Sequence, residues 1–321
     1  MRQRYLALLS LFASLPAGAL TFQTRVENVA WNVEGDQFEC RLSQPIDGFG
    51  SGEFVRRAGE QAVFQLRSDS NALGAGNATL LAAAAPWQPG RGDINLGGVR
   101  MGRSGVLFTS SQGQASRLIN GLLDGRSTVV RNHAGEGGRP MEVHVLPVSF
   151  AKAYGDYQAC AAKLLPMNFD QIRQTQVGFP RGIELDSAAR ARLDVILDYL
   201  KADPSVNHIE LDGHADNSGS RLTNRDTSRR RALAVADYLK AHGVPDEQIT
   251  VRFHGERYPL ARNNSAANRA RNRRVNIQLE RVAPVEKPVE KPSAGPTPAP
   301  AAAAPATPGP APAQAPAEKK S

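Results

Sequence analysis

Between residues 170 and 281 the sequence alternates between strand-like and helix-like patterning, and no other feature constrains the fold as much. Val177 and Phe179 suggest a first strand. Asp186 or Ser187 then caps a helix whose Ala189, Leu193, Ile196, Leu197 and Leu200 share one apolar face. His208-Ile209-Glu210-Leu211 reads as a second strand. A second helix runs from about Asn224 to Ala241 and stops near Gly243, with Pro245 just beyond. Ile249, Val251 and Phe253 mark a third strand, and Val275, Ile277 and Leu279 a fourth. This order predicts a compact β-α-β-α-β-β sandwich over residues 166–282.

Residues 20–165 have another texture. Ala62 to Leu66 and Met141 to Val145 read as strands, glycines separate such runs, and one helix is expected at Ala115 to Leu123. The expectation here is an antiparallel β-rich domain with a helix or two and nothing catalytic, so the fold class is α+β. Residues 283–321 carry eleven of the 22 prolines and a Val-Glu-Lys-Pro repeat, a composition that builds no core and predicts an extended, solvated tail.

Residues 1–19 read as a secretory signal. Arg2 and Arg4 precede an apolar run from Tyr5 to Leu15, and Ala17-Gly18-Ala19 offers a cleavage site ahead of Leu20. The alternative is a buried N-terminal helix. No cysteine follows the cut, which argues against a lipid anchor, and no later run approaches the ~18 apolar residues of a membrane span. Aromatics at 6% argue against the interfacial girdles of a transmembrane barrel. In an oxidising compartment Cys40 and Cys160 most simply form one disulfide, the alternative being two buried thiols.

The net charge of +8 is local. Residues 221–281 hold fourteen Lys and Arg against six Asp and Glu, which accounts for the whole excess and suggests an anionic partner for this segment. In the second helix Ala232, Val235, Ala236 and Leu239 form the core stripe, and Asn224, Ser228 and Arg231 continue it toward the N-terminus. Arg229 and Arg230 turn away, so Arg231 is singled out by phase. Just upstream, Gly213-His214-Ala215-Asp216 leaves the second strand and brings Asp216 near the helix start. A carboxylate and a guanidinium flanking one cleft suit a zwitterion, with Asp216 accepting from an ammonium and Arg231 gripping a carboxylate. Spacing alone leaves open a direct Asp216–Arg231 salt bridge that merely closes the fold. His214 flanks Asp216, and Arg273, sharing strand parity with Val275, leans toward the same cleft.

Four motifs occur in order: Gly213-His214-Ala215-Asp216; Asn224-x-x-Thr227-Ser228-x-x-Arg231-Ala232-x-x-Val235; Gly255-Glu256-x-x-Pro259; and Asn272-Arg273-Arg274-Val275. Together they resemble the OmpA-like peptidoglycan-binding domain. The resemblance implies non-covalent binding of the diaminopimelate in the wall's peptide stem through Asp216, Asn224 and Arg231, with Ser228, His214 and Arg273 around them, and favours ligand binding over the internal salt bridge. Ala215, Phe253 and Thr227 depart from the residues usual at those places, threonine, glycine and leucine. With the export signal, the β-rich first domain, Trp31 and the two cysteines, the arrangement looks like the MotY type of periplasmic flagellar protein. That resemblance implies anchoring to peptidoglycan, contact with the flagellar basal body and a MotX-like protein, indirect contact with the stator, and a place on the periplasmic side of the outer membrane.

Other readings are weaker. The arginines at 225, 229, 230, 269, 271, 273 and 274 would suit nucleic acid, but export removes that partner. The histidines at 208, 214, 242 and 254 lack zinc-ligand spacing, and no cofactor is implied. Ser228 has no base partner or nucleophile elbow, and Glu256 reads as a loop-fixing carboxylate. No pair of carboxylates is arranged for glycoside cleavage, so a binding protein is expected and not an enzyme. A general envelope-stability protein with the same wall-binding domain, and a wall-cleaving enzyme, are the alternatives.

Overall fold

The computed structural model describes residues 20–68, 75–85, 87–88, 90–103, 105–132 and 141–282. The expected signal segment and the proline-rich tail lie outside the described residues.

Among the described residues of the N-terminal half, ten strands build two sheets. The strands are β1 (Leu20–Phe22), β2 (Asn32–Gly35), β3 (Glu39–Ile46), β4 (Gly50–Arg57), β5 (Val63–Ser68), β6 (Gly76–Ala83), β7 (Ile94–Met101), β8 (Gly105–Thr109), β9 (Ser127–Asn132) and β10 (Met141–Val145). One sheet has the order β2-β3-β4-β5-β8, the other β1-β10-β9-β6-β7. Among the described residues the pairings of this half are antiparallel, as expected, except β1 beside β10, which is parallel. Three residues are too few for β1 to show periodicity, so its pairing had no sequence signal. Alternation does hold in β3 and β5, where every second residue is buried.

Two helices close this core. Helix α1 (Gln112–Leu123) starts in a capping box, Ser111 accepting from the Gln114 amide while the Gln114 side chain accepts from the Ser111 amide. Helix α2 (Phe150–Ala161) carries Phe150 and Tyr157 inward. Trp31 packs edge-on to Phe150 at 4.9 Å between ring centroids and stacks toward Phe54 at 6.4 Å. Cys40 in β3 and Cys160 in α2 form a disulfide, with Cα atoms 6.1 Å apart.

In the C-terminal half, a short helix α3 (Phe169–Ile172) leads into β11 (Gln174–Gly178), α4 (Ser187–Ala202), β12 (His208–Gly213), α5 (Arg221–Ala241), β13 (Ile249–Phe253), α6 (Ala266–Asn272) and β14 (Arg274–Glu280). The sheet order is β11-β14-β12-β13, with β12 and β13 parallel and the other neighbours antiparallel. Ile209, Leu211, Val275, Ile277 and Leu279 face α4 and α5 and are buried with Leu193, Ile196, Val235 and Leu239. The expected β-α-β-α-β-β order gains α6 before its last strand. That helix is one Ala-Ala-Asn-Arg-Ala-Arg-Asn stretch without an apolar stripe, capped only by Ser265 accepting from Asn268, so periodicity could not reveal it.

The halves touch. The Leu165 amide donates to the Gln37 carbonyl at 2.9 Å, and Phe38 meets the Tyr199 ring edge-on at 5.8 Å. Asn168 donates to Glu60, and Gln171 to the Gly59 carbonyl. No helix among the described residues is long and apolar enough to cross a membrane.

Candidate functional site

Helix α5 crosses β12 in direct contact. A Cβ on Gly213 would lie 2.1 Å from the Ser228 carbonyl oxygen, so only glycine allows the crossing. The helix opens with Ser220 accepting from the Thr223 amide. It ends where Gly243 turns to φ +97° and the Val244 amide reaches back to the Leu239 carbonyl. Its inward polar stripe, Asn224, Ser228 and Arg231, is buried as the phase argument requires.

These three side chains do different work. Asn224 donates to the Gly219 carbonyl and to the Glu256 carboxylate, joining the loops after β12 and β13. Ser228 is fully buried, donates to the Arg225 carbonyl at 2.8 Å and accepts from the Gly255 amide at 3.0 Å. Its hydroxyl is therefore spent on holding the Gly255 turn, where φ is +61°, and not presented to a cleft. Arg231 donates from Nε to the Gly182 carbonyl at 2.9 Å and from Nη1 to the His214 carbonyl at 3.1 Å, while its Nη2 makes no hydrogen bond within the described protein. The guanidinium lies over the Phe179 ring at 5.6 Å.

Arg231 does not bridge to Asp216. The Asp216 carboxylate accepts from Arg273 Nη1 at 2.8 Å and from the Ser218 amide at 3.0 Å. Arg273 lies between α6 and β14, its carbonyl accepting from the Phe179 amide at 2.8 Å, and its side chain reaches the cleft. It also donates to the carbonyls of Phe179 and Pro180. The segment Phe179–Gly182 after β11 is thus held by two arginines, a role for its backbone that the sequence reading missed. The oxygens this segment presents to the guanidiniums are the main-chain carbonyls of Phe179, Pro180 and Gly182, which leave no trace in side-chain patterning.

His214 contributes its carbonyl, not its ring. Strand alternation carries the ring to the sheet face opposite the helices, beside Asn276 and stacked on His254 at 5.1 Å. His254 in turn lies 2.8 Å from Asp212. The His214 Nδ1 has no partner among the described residues. Burial, with Arg274 and His254 adding to it, pushes the ring down to about 4, so it is neutral at pH 7.

The electrostatics of the cleft are unbalanced. Burial, reinforced by Arg273, lowers Arg231 to about 10, and it stays protonated at neutral pH. Burial acts to raise the Asp216 carboxyl, but hydrogen bonds from Arg273 and Ser218 outweigh it and hold the group below its ordinary value. Two buried or half-buried guanidiniums therefore stand beside one carboxylate, which pairs with Arg273 alone. A carboxylate arriving at Arg231 Nη2 would restore neutrality there, and lone pairs left on Asp216 can accept from an ammonium.

Residues 180–273, which hold this sheet and cleft, match the OmpA family. Residues 22–166 match the MotY N-terminal domain, so the chain carries a match to that domain followed by one to the OmpA family. It is 27% identical over 247 residues to the sodium-type flagellar protein MotY of Vibrio parahaemolyticus, covering 76% of this chain and 84% of that protein. The peptidoglycan-binding protein ArfA of Mycobacterium tuberculosis is 40% identical over 96 residues, 30% of this chain and 29% of its own length. A solved structure of the peptidoglycan-associated lipoprotein from Burkholderia pseudomallei shares 29% identity, covering 33% of this chain and 89% of that one at a TM-score of 0.31.

Proposed function

We propose that this chain is a non-enzymatic periplasmic anchor of the flagellar motor, gripping peptidoglycan with residues 166–282 and meeting the basal body with residues 20–165. The observation that carries the wall-binding half is the cleft's charge imbalance, with Asp216 paired to Arg273 while Arg231 has no carboxylate partner and keeps a free Nη2. A diaminopimelate end, bearing one ammonium and one carboxylate, complements it. Asp216 and Arg231 touch the ligand, Arg273 sets Asp216, Asn224 and Ser228 set the surrounding loops, and His214 lends its carbonyl to Arg231. The motor half rests on the match to the MotY N-terminal domain and on the Vibrio relative's description as a flagellar protein. In this reading a MotX-like protein and the basal body are the partners, and wall anchoring lets stator units be recruited and resist torque.

Capture by purified wall sacculi tests the anchor. Wild type is retained, while Asp216→Ala and Arg231→Ala are not; equal retention of all three overturns the site. Release of muropeptides during the incubation would reveal an enzyme instead. For the motor role, deletion of the gene abolishes swimming, whereas envelope leakage with normal swimming would favour a general envelope-stability protein.

A further inference from the structure

Apart from the clasp of Asp216 and Arg231, the C-terminal half has a recess of about 640 Å³ whose lining includes Glu256, the partner of Asn224. Arg221, Arg225 and Arg257 line it, and the acid among its lining residues is Glu256. That carboxylate is already committed, holding Asn224 and lying 3.9 Å from Arg221. Arg225 lies over the Phe253 ring at 5.3 Å, and neither it nor Arg257 has a carboxylate partner among the described residues. At the same place Leu222 is 80% exposed and Tyr258 62% exposed, two large apolar side chains left in water beside surplus positive charge. An occupant that answers both features carries an anion and a small apolar group.

The recess and the clasp share a wall. Glu256 lines the recess while its hydrogen bond fixes Asn224, and the Gly255 carbonyl accepts from the Ala215 amide next to Asp216. These hydrogen bonds tie the rim of the recess to the loop that carries Asp216 and to the helix that carries Arg231. Building on the wall-binding reading, we propose that the recess is a second anionic subsite for the same peptide stem. A free carboxylate of an adjoining amino acid pairs with Arg225 and Arg257, and an alanine methyl rests on Leu222 and Tyr258.

Titrating the full chain with three probes tests this. The probes are free meso-diaminopimelic acid, the tetrapeptide L-Ala-γ-D-Glu-meso-diaminopimelyl-D-Ala, and that tetrapeptide with its D-Glu and D-Ala carboxyls amidated. Wild type binds the tetrapeptide about tenfold more tightly than the free amino acid, and amidation removes the gain. The Arg225→Ala/Arg257→Ala variant binds the free amino acid as wild type does, which also shows that it is folded, but loses the gain. If the gain is absent, or persists in the double variant, the subsite is wrong and the clasp stands. If free diaminopimelic acid does not bind wild type, the clasp falls and the subsite with it. Retention on anionic phospholipid vesicles that the double variant abolishes, without any tetrapeptide gain, would assign the recess to a membrane surface and overturn the proposal.

Discussion

Arg231 and Arg273 show how one residue type serves two ends. Arg273 spends its fork on Asp216 and two carbonyls and so shapes the acid, whereas Arg231 keeps part of its fork open. Replacing Asp216 by Asn leaves two guanidiniums without a counter-charge and removes the acceptor for an ammonium. Diaminopimelate affinity then drops by at least about tenfold, measured by calorimetry, because a charge-assisted hydrogen bond contributes roughly 1.5–3 kcal/mol. His214 gives the pH counterpart. Its folded value of about 4 lies below the ordinary 6.5, so between these values the unfolded chain binds the proton and the folded chain does not. Stability is full above about pH 6.5 and falls as the pH drops toward 4, by a total on the order of 3 kcal/mol. Urea midpoints across that range check this, and His214→Asn flattens the slope. The helix phase made Asn224, Ser228 and Arg231 legible in the sequence, since a 3.6-residue repeat fixes which side chains turn inward. It did not reveal that Ser228 is consumed by the Gly255 amide or that Arg273 meets Asp216, because those contacts join loops distant in the chain.

At the scale of elements, the cleft exists because α5 lies against β12 with no side chain between Gly213 and Ser228. A methyl group there would meet backbone, which cannot swing aside. Gly213→Ala therefore lowers unfolding stability by about 1–3 kcal/mol and weakens wall capture as well, read by chemical denaturation and sacculus pull-down together. Long elements with a continuous apolar pattern, such as α4 and α5, were visible from periodicity, with α5 beginning a few residues earlier than expected, at Arg221. Short elements were not. Helix α3 rests on reciprocal Asn168–Gln171 capping and α6 on Ser265, so local hydrogen bonds and tertiary support decide them where hydrophobic pattern is silent. The strand β1 depends on Met141–Val143 as a ready-made neighbour.

Across the whole molecule, two cores are separately filled, and both tryptophans, Trp31 and Trp87, belong to the N-terminal one or its surface. Tryptophan emission thus follows that half alone. Replacing Cys40 and Cys160 by serine removes a cross-link between positions 120 residues apart and destabilises the N-terminal half by about 2–5 kcal/mol, seen as an earlier fluorescence transition in urea. Wall capture at moderate temperature is unchanged, since the clasp draws nothing from those residues.

The junction between the halves gives that disulfide a second meaning. Phe38 and Leu165 carry the contact, and Cys40 closely follows one while Cys160 closely precedes the other. In the anchoring proposed above, tension entering from an immobilised mesh meets a covalent rivet as soon as it crosses the seam. A pull across the seam is then borne by the Phe38 ring together with the Leu165–Gln37, Asn168–Glu60 and Gln171–Gly59 hydrogen bonds before it reaches the β3 ladder.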